Sequence, residues 1–306
     1  WVIFLGIFFV FLYNYFSFLL RAVGNSVTPL WFLGISAAVN IVLDLVFVVG
    51  FDWGVGGAAA ATVISQVISG VGIGIYTWKK EPSLRPSLSM FRKMRGNVAE
   101  ITRFSLAASI QQSVMNFGIL MIQGLVNSFG TAVMAAFAAA VKIDSFAYMP
   151  AQEFGNAFSI FTSQNYGAGK MDRIRKGYWI AFRTIAAWGC LIMALFFIFP
   201  EPLSEIFFHE AEAIQISVSY FLIIGISEAF MSVELMTIGA LSGLGRTRLC
   251  SIISIVFTGS RIPFAMALAA TPLGLDGIWW AMSLTSVVKG IIFTIVFHRI
   301  THNGRS

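Results

Sequence analysis

Asn40 and Asp44 stand four residues apart inside an apolar stretch, so a helix there carries an amide and a carboxylate on one face. Thr62 follows in the next apolar stretch. Asp44 lies about eight residues before the polar break near Phe51, and Thr62 about eight residues after Gly54; at 1.5 Å per residue both sit roughly 12 Å from that break. An amide, a carboxylate and a hydroxyl can thus converge between two antiparallel helices. Oxygen ligands of this kind suit a hard cation such as Na⁺, and the lone carboxylate suits a proton equally. An ionisable group inside an apolar span is costly, which makes Asp44 a functional candidate by default. Asn40 and Thr62 also read as ordinary interhelical hydrogen-bonders, worth about 1 kcal/mol or less each.

Further polar residues interrupt later apolar stretches. Lys142 and Asp144 are two apart and point to different helix faces, so they do not pair neatly with each other. Asp144 and Glu153 read as acids lining a cavity for cationic substrates, or as partners of Lys142 or of a neighbouring helix. Glu153 follows Pro150, where a kink would open backbone carbonyls to a cavity. Glu234 is deep in its stretch and Glu228 shallower. Gln111, Gln112 and Asn116 offer amides without an acid. Lys289 is expected to snorkel toward an interface.

The elements that position these groups follow from composition. Of 306 residues, 58% are hydrophobic and 11% charged, against about 25% charged in a soluble domain. Mean hydropathy is +0.82. These figures exclude a soluble globular enzyme and a disordered chain, and two cysteines do not make a disulfide scaffold. Nine stretches are long enough to span a bilayer as helices: 1–20, 29–51, 55–78, 101–129, 133–165, 178–199, 214–241, 249–271 and 275–298. They lack the alternation of barrel strands. The expected fold is an all-α polytopic membrane protein. Pro150 and Pro263 predict kinks or breaks.

Basic residues fall in every second loop: Arg21; Lys79 to Arg95; Lys170 to Lys176; Arg246 and Arg248; Arg299 and Arg305. The intervening loops carry Asp52, Glu201, Glu205, Glu210, Glu212 and Asp276 instead. The positive-inside rule places the basic loops in the cytoplasm. Short loops point to a bacterial inner membrane.

Residues 20–65 and 241–286 repeat one another. Gly24 aligns with Gly245 and Asn40 with Arg261; after a one-residue slip, Gly54 aligns with Gly274, Gly57 with Gly277 and Ala61 with Ala281. Both copies read basic loop, helix, glycine-rich outer turn, helix, in the same direction. That is a parallel repeat of the kind that builds two transporter lobes. The second copy is preceded by four spans and the first by one, so equal halves would place about three more helices before Trp1. The expected organisation is residues 1–95 as the second half of an N-lobe with its linker, and 96–306 as a six-helix C-lobe. Arg261 is expected to pair with a carboxylate such as Glu234.

The segments LRAVGNSVTPL at 20–30, NIVLD at 40–44, GVGGAAAAT at 54–62, SQNYGAGKMDR at 163–173 and GALSGLGRTR at 239–248 resemble the MATE family of multidrug and toxic-compound extrusion transporters. The resemblance runs from the fourth to the twelfth span of that family. It implies a two-lobed 12-helix bundle and efflux of organic cations and amphiphiles driven by Na⁺ or H⁺, with no other cofactor. It carries over a cation site to Asn40, Asp44 and Thr62, whose further acidic ligand comes from the family's first helix. The amides at Gln111, Gln112 and Asn116 depart from the acid that some members carry there, which favours coupling in the N-lobe. Gln111, Asp144, Glu153 and Glu234 are the candidates for a substrate cavity.

Other chemistries do not fit. Gly167-Ala168-Gly169-Lys170 lacks the first glycine and the Ser/Thr of a P-loop and reads as a glycine helix cap. No metal-ligand spacing or nucleophile set is present, so an intramembrane enzyme is disfavoured. The basic linker suits anionic headgroups rather than nucleic acid. The alternative is a flippase for lipid-linked oligosaccharides, which needs a basic cavity where only Lys142 and Arg261 offer deep cations. The expected partners are amphiphilic or cationic small molecules and the bilayer, with the protein monomeric.

Overall fold

The computed structural model describes residues 1–85, 95–208 and 210–303, with side chains left undescribed at 95–97, 100 and 303. Arg92, Lys93, His209 and Arg305, and the side chain of Arg95, lie outside the described residues. Among the described residues nine helices are long and apolar enough to cross a membrane, one at each of the nine stretches read from the sequence, and there is no strand.

The chain divides into two compact units, Trp1–Gly96 and Asn97–Ser306. The first contains α1 (Val2–Ala22), α2 (Val27–Asp44), a π-helical turn (Leu45–Gly50) that continues α2, and α3 (Gly54–Lys80). The second contains α4 (Arg95–Asn127, whose first two residues belong to the other unit), α5 (Thr131–Gly167), α6 (Met171–Ile198), the short α7 (Pro200–Glu205), α8 (Ala211–Gly243), α9 (Thr247–Ala269) and α10 (Leu275–Asn303). Several helices outrun their apolar stretches. α6 starts at Met171 rather than near Tyr178, because an apolar run marks the lipid-buried part and not where backbone hydrogen bonding stops.

The expected proline breaks do not occur. Pro150 and Pro263 lie inside unbroken α5 and α9. The irregularity falls instead on a segment without proline. Directly after Asp44 the hydrogen bonds span five residues instead of four, with Phe51 N–H donating to Val46 O at 2.9 Å. Such π turns inside α-helices are frequent at functional sites.

The repeat is visible in backbone geometry. Asn25 N–H donates to Leu20 O at 2.9 Å and Gly24 N–H to Arg21 O at 3.0 Å; Arg246 donates to Leu241 O at 2.9 Å and Gly245 to Ser242 O at 2.9 Å. Gly24 and Gly245 have φ of +91° and +75°, and Gly54 and Gly274 have +53° and +51°. Gly24 and Gly245 therefore make the same left-handed helix cap, and Gly54 and Gly274 share the same left-handed turn where the following helix begins. Ala61 and Ala281 are both fully buried. The segment at Gly167–Lys170 ends α5 in the same way, with Lys170 N–H on Asn165 O at 2.8 Å.

The second unit is built around α8, whose most apolar 18-residue stretch is 67% buried, as befits a central helix. It packs on α5, α6 and α10. Its Gly239-x-x-x-Gly243 face lets α5 approach to backbone contact: Gly239 meets Gly155 O, and a Cβ at Gly243 would lie 2.5 Å from Ser159 O. Small residues at this spacing are how membrane helices gain close packing.

Candidate functional site

In the first unit, α2 and α3 pack side by side and join through the turn at 51–53. Ser36 Oγ donates to Ser65 O at 2.8 Å and ties them together. Asn40, Asp44 and Thr62 are all half-buried. No hydrogen bond joins them to one another among the described residues. Thr62 Oγ1 donates to Ala58 O at 2.9 Å in its own helix, which leaves its lone pairs free to accept. Asn40 Nδ2 and Asp44 Oδ1 are buried and have no partner. Each such atom costs roughly 1–3 kcal/mol. A ligand cation would satisfy the carboxylate directly, and an amide flip would present the Asn40 oxygen to it.

Sequence reasoning missed Gln66. It stands four residues beyond Thr62 on α3, its Oε1 is buried without a partner, and it lies against Gly6 of α1. The i, i+4 spacing from Thr62 was the available signal. Among the described residues the first unit thus holds three buried side-chain polar atoms without a partner, on Asn40, Asp44 and Gln66.

In the second unit a cavity of about 160 Å³ is lined by Asp144, Tyr148, Tyr220, Glu234, Arg261 and Lys289 among others. Lys289 does not snorkel to an interface. Its Nζ is 2.8 Å from Glu234 Oε1, because α10 packs along α8 and an ion pair is the cheaper state for two buried charges. Arg261 consequently does not pair with Glu234. Its Nε donates to Thr285 Oγ1 at 2.8 Å and Nη2 to Ser286 Oγ at 3.1 Å.

Among the described residues Asp144 pairs with neither Lys142 nor any other cation. It accepts from Tyr220 at 3.4 Å and faces Glu228 within hydrogen-bonding reach. Glu228 is fully buried, deeper than its place in the sequence suggested. Two carboxylates only accept, so this contact becomes a hydrogen bond when a proton sits between them. Glu153 is exposed and accepts from Asn156 at 3.3 Å on its own helix, so it does not line either cavity of this unit.

A second cavity of about 210 Å³ is lined by neutral polar groups, including Gln111, Gln112, Gln152, Asn156 and Ser242. Gln111 donates to Ser254 Oγ at 3.2 Å. Met115, Tyr148 and Leu235 line both cavities and separate the charged one from the neutral one. Among the described residues no group of His, Cys, Asp and Glu is placed to hold a metal ion.

The MatE family model matches residues 107–267. The chain is 30% identical over 276 residues to "Probable multidrug resistance protein YpnP" of Bacillus subtilis, covering 90% of this chain and 61% of the relative. It is 28% identical over 292 residues to "Probable multidrug resistance protein NorM" of Thermotoga maritima, covering 92% and 62%. The chain therefore spans about three-fifths of the length of these relatives. Its fold matches a solved outward-facing multidrug resistance MATE family transporter of the MOP superfamily with a TM-score of 0.90 at 22% identity, over 100% of this chain and 69% of that one.

Proposed function

Because the chain belongs to the MatE family, we propose that it is part of a secondary transporter that exports amphiphilic or cationic small molecules in exchange for Na⁺ or H⁺. The coupling cation binds in the first unit at Asn40, Asp44 and Thr62. The observation that carries this reading is the orphaned carboxylate oxygen Asp44 Oδ1, buried in a membrane helix. At the repeat position of Asn40 the second unit carries Arg261, whose guanidinium is held by Thr285 and Ser286. One copy has a cation built in, and the other has a buried carboxylate oxygen without one.

Alternating access follows if the cation and the substrate favour different states of the transporter, since a ligand shifts an equilibrium only by its differential affinity. In this reading Gln111, Asp144 and Glu234 meet the substrate. The protein sits in a bacterial inner membrane as a monomer, with its basic loops cytoplasmic. A lipid-linked oligosaccharide flippase would need free cations in its cavity. Lys289 is neutralised by Glu234, and Arg261 shares its cavity with Asp144, so the drug-efflux reading is favoured.

The test is dye efflux from cells expressing the gene, wild type beside Asp44→Asn, under a Na⁺ gradient and then under a pH gradient alone. Coupled efflux is expected to vanish in the variant while expression holds. Full efflux by the variant sinks the assignment, and no wild-type efflux under either gradient favours the flippase.

A further inference from the structure

A groove of about 590 Å³ runs between α5 and α6 on the outside of the second unit. Phe154, Ala157, Phe158 and Phe161 form one wall, and Gly177, Ile180, Ala181 and Thr184 the other. Its lining is almost wholly apolar except at one end, where Arg173 and Lys176 stand three residues apart on one face of α6. The groove opens outward: Ile180 is 67% exposed, and Ala157, Arg173 and Lys176 are exposed as well.

The two cations are free for a ligand. Among the described residues neither side chain has a hydrogen-bond or ion-pair partner. The acid of that turn, Asp172, is bound by Arg175 at 3.1 Å, and Arg175 also donates to Thr301 O at 2.9 Å. From Arg173 to Thr184 the groove descends about 16 Å at the rise of an α-helix. That is roughly half of a ~30 Å hydrocarbon core, the depth of one leaflet. Exposed Tyr166, one residue from the end of α5, is of the type that marks the membrane–water interface.

We propose that this groove binds one anionic phospholipid, its phosphate held by Arg173 and Lys176 and an acyl chain laid along Phe154, Phe158, Phe161 and Ile180. Charge complementarity selects the headgroup: an arginine fork and an ammonium match phosphate oxygens, and a zwitterionic lipid adds a repelling cation. The apolar channel selects a lipid over a free phosphate. Its lining shares no residue with the two cavities described above, and the site does not depend on the transport reading.

Native mass spectrometry of the purified protein tests this, with phosphatidylglycerol and phosphatidylcholine of identical chains added at equal dose. Wild type is expected to retain phosphatidylglycerol selectively. Arg173→Ala/Lys176→Ala should weaken that retention on the order of 30-fold. Ala157→Trp, which keeps both cations and fills the groove, should weaken it too. Arg246→Ala/Arg248→Ala, in another basic loop, should leave it unchanged, and inorganic phosphate should not displace the lipid. Equal retention of the two lipids, undiminished retention in the double variant or in Ala157→Trp, an equal loss in the control pair, or displacement by phosphate overturns the proposal. Each variant is first checked for a wild-type elution profile, and Ala157→Trp and the basic pair test the two ends of the groove separately.

Discussion

Lys289 Nζ rests 2.8 Å from Glu234 Oε1, with 6% and 4% of the two side chains exposed. The pair bridges α10 and α8 at the wall of the charged cavity. Removing one partner strands a buried charge, which typically costs about 3–5 kcal/mol, whereas replacing both with apolar residues is often neutral. Lys289→Met is therefore expected to lower the unfolding midpoint in detergent sharply. Glu234→Leu/Lys289→Met should recover most of the loss. A double variant as unstable as the single one would show that the pair does more than neutralise itself.

Asn40→Arg copies into the first unit what Arg261 already does in the second. A fixed guanidinium beside Asp44 should occupy the place of the coupling cation. The variant is expected to fold, to lose stabilisation of the protein by added Na⁺ or acid, and to lose gradient-driven efflux. Ligand stabilisation of a melting temperature reads this directly. An unaltered cation response in Asn40→Arg would move the cation site elsewhere.

Asp144 Oδ1 and both carboxylate oxygens of Glu228 are buried without a partner among the described residues. Glu228→Gln supplies a donor to Asp144 without needing a proton. Its thermal stability should equal or exceed wild type. Glu228→Ala leaves a cavity and an unpaired carboxylate, and should fall below wild type by about 2–4 kcal/mol. The opposite order of the two variants would mean that the contact is not the stabilising one.

Gly239 meets the backbone carbonyl of Gly155, so Gly239→Ala forces α5 and α8 apart. Overpacking of this kind costs about 1–3 kcal/mol. At Gly259 a methyl group would meet nothing within 4 Å, so Gly259→Ala should be neutral or gain up to about 1 kcal/mol from helix propensity. Thermal unfolding of the two variants side by side separates close packing from propensity.

Much of the fold was legible because lipid imposes simple rules. The nine apolar stretches, the cap at Gly169 and the aligned glycines at 24 and 245 each follow from one local requirement. Pairing across helices was not legible in this way. Lys289 finds Glu234, and Arg261 finds Thr285 and Ser286, because α8, α9 and α10 adjoin, and one-dimensional spacing does not specify which buried charges meet. Glu153 illustrates the same limit: an acid near a proline suggested a cavity, and it lies exposed, bound within its own helix. The candidate cation residues were legible as polar types within apolar spans, whereas the orphaned state of Asn40 and Asp44 depends on what α3 presents to α2.

The π-helical turn at Leu45–Gly50 also bears on how this helix tolerates changes in length. Each of its bonds encloses one residue more than an α-helical bond. A single-residue deletion within it can be absorbed by tightening to ordinary α spacing, with Asp44 left in register with Asn40. A deletion anywhere else in α2 turns one end of the helix against the other by about 100°. The surplus residue sits between the candidate cation site and the turn at 51–53, so the π turn can lose one residue without moving the acid.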